Sequence, residues 1–184
     1  MSEQILTCWG PRSTALLERL KPIKLVVFDV DGTLTDGGVY LDNHEVELKK
    51  FSTRDGQGIT LLQRYGVQCA IITGRNAPVV TRRMQELQVK LVLQGVSDKS
   101  LALQEIKTKL KLTSANVCAM GDDLNDLPMF SQAGFTACPY DAHPYIKQIS
   151  DLVLDLKGGH GAARELCDLI LMAQGQLTFT GRPN

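Results

Sequence analysis

Cysteine is scarce and shows no pairing pattern. The 184 residues hold five, Cys8, Cys69, Cys118, Cys138 and Cys167, an odd number with no C-x-x-C spacing. That argues against a disulfide framework or a thiolate zinc site, and a reducing cytoplasm fits best. Net charge is also missing: twenty basic side chains balance twenty acidic ones. Nothing draws the chain as a whole to a polyanion, so nucleic acid is a poor first partner. Long hydrophobic runs are absent near the start. Residues 1–23 are broken by Glu3, Arg12, Glu18, Arg19 and Lys21, which suits neither a secretion signal nor a membrane span. Aromatic residues make up only 5%, with Trp9 the single tryptophan, and His44, His143 and His160 show no ligand spacing. None of these is assigned a role. No repeat, low-complexity segment or N-x-S/T acceptor occurs.

What is present is ordinary globular composition, 43% hydrophobic and 22% charged, at a length that predicts one domain over residues 1–184. Short apolar runs read as buried strands at 24–28, 67–73, 90–93, 116–120, 135–137 and 152–154. Amphipathic stretches between them predict helices near 57–65, 76–87, 99–111, 123–132, 143–149 and 160–174, and a short helix capped by Ser13 precedes the first strand. Continuous apolar strands alternating with helices predict an α/β fold, a mostly parallel sheet covered on both faces.

Residues 37–52 break that rhythm. Val39 and Leu41 alternate, Asp42-Asn43-His44 supplies turn residues, and Val46 and Leu48 alternate with Glu45, Glu47 and Lys49. The pattern predicts a protruding β-hairpin with one apolar face. Two isolated strands are marginal in water, so that face is expected to be covered by another copy of the chain. Packing onto its own domain is the alternative.

The chemistry-bearing residues follow the strands. The first strand runs into Asp29-Val30-Asp31-Gly32-Thr33, and a strand places residues i and i+2 on the same side. The second ends in Thr73-Gly74-Arg75, Asp98-Lys99-Ser100 opens the helix after the third, and the fourth ends in Gly121-Asp122-Asp123-Leu124-Asn125-Asp126. The carboxyl ends of parallel strands are where open α/β sheets bind ligands. An acidic cluster there suits an oxygen-preferring cation such as Mg²⁺. A hydroxyl and a lysine beside it suit a phosphate. Charge explains the mixture: a carboxylate and a phosphate dianion at ~4 Å repel by roughly 8 kcal/mol at an effective dielectric of ~20. A divalent cation and a lysine offset that, as phosphoryl transfer requires.

In order and spacing, Asp29-Val30-Asp31-Gly32-Thr33, Thr73, Lys99 and Gly121-Asp122-Asp123 with Asp126 resemble the four motifs of the haloacid dehalogenase superfamily. The resemblance implies a Rossmann-like sheet, Mg²⁺ and an aspartyl-phosphate intermediate. Asp29 would be the nucleophile and Asp31 the general acid/base. Thr73 would hold the phosphoryl group and Lys99 would neutralise it. Asp29, Asp122 and the Asp31 carbonyl would bind the metal, with Asp123 and Asp126 in support. Asp29 to Gly38, Phe51 to Ile59, Thr73-Gly74-Arg75 and Gly158 to Glu165 look closest to the capless branch. That branch implies hydrolysis of 3-deoxy-D-manno-octulosonate 8-phosphate for lipopolysaccharide, by a cytoplasmic homotetramer assembled through the hairpins. By the same match, Asp31, Ser52, Thr53, Arg54, Asp55, Gly56, Thr60, Arg75, Arg83, Lys99 and Asp123 would contact the sugar acid phosphate. Arg54, Arg75 and Arg83 can pair bidentately with its carboxylate. A nine-carbon sugar acid phosphate is the alternative substrate, and a non-catalytic sugar-phosphate-binding module the alternative class.

Gly158-Gly159-His160-Gly161-Ala162-Ala163-Arg164 has the look of a dinucleotide fingerprint, but Arg164 replaces the third glycine and no βαβ unit follows. It reads as a loop and helix start. The polar tail at 175–184 is expected to be mobile, or to reach over a neighbour's site.

Overall fold

The computed structural model describes residues 3–44 and 46–178, so the last six residues of the predicted mobile tail lie outside the described residues. The chain opens with an antiparallel pair, β1 (Gln4–Thr7) and β2 (Gly10–Ser13), that sequence patterning misses. Gly10-Pro11 reads as a breaker. The pair is held by contacts made elsewhere: Trp9 Nε1 donates to Asp168 (3.2 Å) and Arg12 pairs with Glu165 (3.0 Å). Ser13 then caps α1 (Thr14–Leu20), accepting from the Leu16 amide as predicted.

The main sheet contains β3 (Leu25–Phe28), β6 (Gln68–Ile72), β7 (Leu91–Leu93), β8 (Val117–Met120), β9 (Phe135–Cys138) and β10 (Leu152–Val153). Their order is β10-β9-β8-β3-β6-β7 and every pairing is parallel. All six predicted strands are therefore present, in an α/β sheet. Alternate side chains of β3 serve opposite faces. Val26 and Phe28 join the core beneath α1, α2 (Thr53–Arg64), α3 (Pro78–Glu86) and α7 (Ala162–Ala173). Leu25 and Val27 join the core beneath α4 (Lys99–Leu110), α5 (Leu127–Phe130) and α6 (Pro144–Ile149). All four β3 side chains are fully buried. At ~1.5–3 kcal/mol each, their burial contributes on the order of 6–12 kcal/mol as an upper estimate. From β3 the chain first builds outward through β6 and β7, then crosses to β8 and builds the other way. The switch point lies between β3 and β8.

The hairpin is β4 (Tyr40–Leu41) and β5 (Glu47–Leu48), with an isolated bridge between Thr35 and Phe51 at its base. Its register corrects the expectation of one apolar face. Tyr40 lies opposite Leu48 and Leu41 opposite Glu47. Directly opposed residues share a face, so Leu41 and Leu48 project from opposite faces. The sequence alternation is regular in each strand, but the turn length sets their relative phase.

Candidate active site

The site forms at the carboxyl edge of β3 and β8. Immediately past β3, the Val30 carbonyl accepts amides from Thr33, Leu34 and Thr35 (2.9–3.3 Å) and folds the loop tightly. Gly32 allows the turn at φ +91°, and any β-carbon there would fall 2.1 Å from Asp122 Oδ2. The loop leaves Asp29 buried and Asp31 partly exposed.

Past β8, Asp126 organises the facing loop. It is fully buried. Its Oδ2 accepts the amides of Asp122 (2.9 Å) and Asp123 (3.2 Å). Its Oδ1 accepts from Lys99 Nζ (2.7 Å). Asp123 is exposed and caps the short 3₁₀ turn Leu124–Asp126 through the Leu124 amide (2.7 Å). Asp122 accepts from Thr33 Oγ1 (2.9 Å), which joins the two loops. Lys99 is the first residue of α4, set there by Asp98, whose carboxylate caps the helix. Its buried ammonium also donates to Asp29 Oδ1 at 2.5 Å. Thr73, likewise buried, follows β6 at the same edge, its amide donating to the Leu93 carbonyl (3.0 Å).

Oxygen atoms of Asp29, Asp122 and Asp126 lie within 4.8 Å of one another. Burial, then the Asp126 charge, pushes the Asp29 carboxyl up to about 7 against the pull of Lys99. Burial, then Asp29, pushes Asp122 up to about 8. Burial alone would lower Lys99, but Asp29 and Asp126 more than offset this and hold it above its usual value. The cluster thus holds more negative charge than one ammonium neutralises. Its donors are all oxygen, which fits a hard divalent cation rather than zinc. Asp126 has both oxygens occupied, so Asp29 and Asp122 are the carboxylates left to take such an ion.

Two residues escape sequence reading. Lys49, at the hairpin base, ion-pairs with Asp31 and with Glu47 (2.8 Å), and Glu47 accepts from Arg75 (2.8 Å). Nothing in a Lys-Lys pair marks the first as buried; only the hairpin register does. Arg75 Nε stands 3.9 Å from Asp31 Oδ2. The other predicted contacts form a separate group on α2 and α3. Ser52 caps α2 through the amides of Arg54 and Asp55. Thr53 and Arg54 are exposed on its first turn. Asp55 is buried and accepts the amides of Gly161 (3.2 Å) and Arg164 (2.8 Å) at the start of α7. Thr60 donates to the Gly56 carbonyl (3.0 Å). Arg83 pairs with Glu86 (3.2 Å) and lies against Gly56. Among the described residues, none of these side chains bonds to the carboxylate cluster. A cavity of about 670 Å³ between the carboxyl ends of α2 and α3 is lined by Thr60, Arg64 and Lys90 among others and holds none of the clustered carboxylates.

A doubly wound parallel sheet with a buried Asp–Lys–Asp cluster and a further carboxylate at its switch point defines the class, the haloacid dehalogenase-like hydrolases. That family matches residues 91–166. Over 173 residues, 94% of this chain and 92% of the relative, the chain is 42% identical to 3-deoxy-D-manno-octulosonate 8-phosphate phosphatase KdsC of Salmonella typhi. The crystal structure of the Yersinia pestis phosphatase of that name superposes with a TM-score of 0.93 at 40% identity, covering 96% of this chain and 95% of that one. The Moraxella catarrhalis phosphatase, solved with magnesium ion, phosphate ion and a KDO molecule, superposes with a TM-score of 0.86 at 37% identity over 89% of this chain and 94% of that one. The chain belongs to the 3-deoxy-D-manno-octulosonate 8-phosphate phosphatase family of haloacid dehalogenase-like hydrolases.

Proposed function

We propose that this chain, as one hydrolase domain, is a Mg²⁺-dependent phosphatase that converts 3-deoxy-D-manno-octulosonate 8-phosphate to the free sugar acid and inorganic phosphate. The observation that carries the reading is the Lys99 ammonium bridging Asp29 and Asp126, with Asp122 alongside. Asp29 attacks phosphorus and becomes the aspartyl phosphate. Asp31 protonates the departing sugar oxygen, then takes a proton from the water that hydrolyses the acyl phosphate. Lys99 and Thr73 hold the phosphoryl oxygens. Asp29, Asp122 and the Asp31 carbonyl would hold Mg²⁺. When bound, the ion supplies the positive charge that lets a carboxylate approach a phosphate dianion.

The chain works in this reading as a cytoplasmic homotetramer. All five cysteines are free thiols. No helix among the described residues is long and apolar enough to cross a membrane. Val39, Tyr40, Leu41, Val46 and Leu48 are all exposed on the hairpin, as an assembling element requires. Ser52, Thr53, Arg54, Gly56, Thr60 and Arg83, whose side chains make no bond to the chain's own cluster, would then serve a neighbour's substrate, while Arg75 and Asp123 serve their own. Asp55, buried and taken up by the Gly161 and Arg164 amides, supports the turn before α7 instead.

The test is phosphate release from the eight-carbon substrate and from a nine-carbon sugar acid phosphate, with Mg²⁺ and with EDTA. We expect release that EDTA abolishes, a lower kcat/KM for the longer sugar, and no turnover by Asp29→Asn. Equal efficiency on both sugars would overturn the substrate assignment, and turnover by Asp29→Asn would overturn the covalent step.

A further inference from the structure

Lys49 ties the hairpin to the catalytic loop. Its side chain is only 2% exposed, a rare state for a lysine unless its charge is paired. Both partners are anionic: Asp31 through Oδ1, and Glu47 through Oε1 at 2.8 Å. Glu47 and Lys49 stand two residues apart at β5, so their side chains leave the same side of the strand. Arg75 Nη2 donates to the same Glu47 oxygen at 2.8 Å. The second oxygen of Asp31 is placed differently. Arg75 Nε stands 3.9 Å from it, beyond hydrogen-bond range. Asp31 is therefore anchored by one oxygen and open at the other.

We propose that Lys49 is a positioning residue for the proton-transfer step, pinning Asp31 through Oδ1 so that Oδ2 is the oxygen that exchanges a proton with substrate. This rests on the roles proposed above for Asp29 and Asp31. As the bond from Asp29 to phosphorus forms, the phosphorus–oxygen ester bond breaks and its electron pair passes to the sugar oxygen. The proton on Asp31 Oδ2 moves to that oxygen. Asp31 is left as a carboxylate, the charge state that pairs with the Lys49 ammonium. Glu47 fixes the ammonium in turn, so a strand of the hairpin contributes directly to the chemistry.

The leaving group distinguishes this role from a structural one. A sugar alcohol needs a proton to depart, whereas p-nitrophenolate departs at neutral pH without one. With the full-length protein and saturating Mg²⁺, Lys49→Met is expected to lower kcat/KM for 3-deoxy-D-manno-octulosonate 8-phosphate by about 30-fold or more, within the ~10²–10⁴ that a general acid contributes. The loss should lie in kcat, with KM changed less than about twofold. With p-nitrophenyl phosphate the loss in kcat/KM should be under about threefold, because kcat/KM ends at departure of the leaving group, where that ester makes no demand on the acid, and so leaves out the later water step that Asp31 serves for both esters. Lys49→Arg should recover much of the sugar phosphate turnover. If Lys49→Met does not fold, Lys49→Gln is read by the same criteria. Equal losses of kcat/KM on both esters, or a raised KM for the sugar phosphate with kcat intact, would overturn the proposal. A wild-type protein that hydrolyses neither ester would instead overturn the phosphatase reading beneath it.

Discussion

A β-carbon on Gly158 would lie 1.8 Å from the carbonyl oxygen of Gly32. The loop before α7 therefore presses on the loop that carries Asp29 and Asp31, backbone against backbone. Gly159, at φ +63°, donates its amide to the Thr33 carbonyl (3.2 Å). The following turn is anchored from α2 through Asp55. The placement of the nucleophile thus depends on residues more than a hundred positions away in sequence.

Gly158→Ala should accordingly displace the catalytic loop. The methyl group meets a carbonyl, not a flexible side chain, so relief requires backbone movement. Overpacking of this kind costs about 3 kcal/mol or more, roughly 6–12 °C in Tm for a chain of this size. Differential scanning calorimetry together with turnover would check this. A variant with unchanged Tm and kcat would show that the two loops are not rigidly apposed.

The carboxylate cluster predicts a pH dependence with a definite sign. Asp29 and Asp122 are raised from 3.8 to about 7 and about 8 in the folded protein. Between those values and 3.8 the native state binds more protons than the unfolded chain, so metal-free stability should fall as pH rises from about 4 to about 8. Mg²⁺ should reverse this, because it replaces the protons. Thermal melts in EDTA should decline from pH 5 to pH 8, and Mg²⁺ should raise Tm more at pH 8 than at pH 5. An equal Mg²⁺ effect at both values would remove the cluster as the binding site.

The legible parts of the fold are those whose signal is local. β3 and β8 are continuous apolar runs ending in Asp29-Val30-Asp31 and Gly121-Asp122-Asp123, so strand, edge and acid cluster can all be read together. Lys99 is legible as a cation opening a helix; that it bridges Asp29 and Asp126 follows only from how α4 docks on the sheet. Lys49 and Gly158 are not legible. Their importance lies in contacts 18 and 126 residues away along the chain, with Asp31 and Gly32, and neither residue type signals it. The hairpin is legible as two alternating strands, but its register depends on the turn, and with it which apolar residues share a face.

Asp55 separates a structural role from a binding one. Its carboxylate accepts two amides at the start of α7 and is itself buried. Asp55→Ala leaves both donors without a partner, at a combined cost of about 2–4 kcal/mol. Tm should drop by roughly 4–16 °C, while KM measured well below the transition should stay within about twofold, the scale of a small local adjustment. A stable Asp55→Ala protein with a greatly raised KM would instead place this carboxylate on a substrate.

The hairpin register changes what an assembly must cover. Leu41 is 66% exposed and Leu48 58% exposed, and they project from opposite faces. Leaving both in water forgoes burial of about 1.5–3 kcal/mol per side chain. A partner that covers only one face recovers half of that. If copies of the chain enclose the hairpin on both sides, Leu41→Glu and Leu48→Glu should each weaken association, and the double variant should sediment as a monomer with its sheet intact by circular dichroism. Neither leucine contributes to either buried core, so stability of the isolated domain should be little affected. If only one of the two substitutions dissociates the assembly, a single face carries the contact and the other is left to solvent. If neither does, the hairpin is not the assembling element.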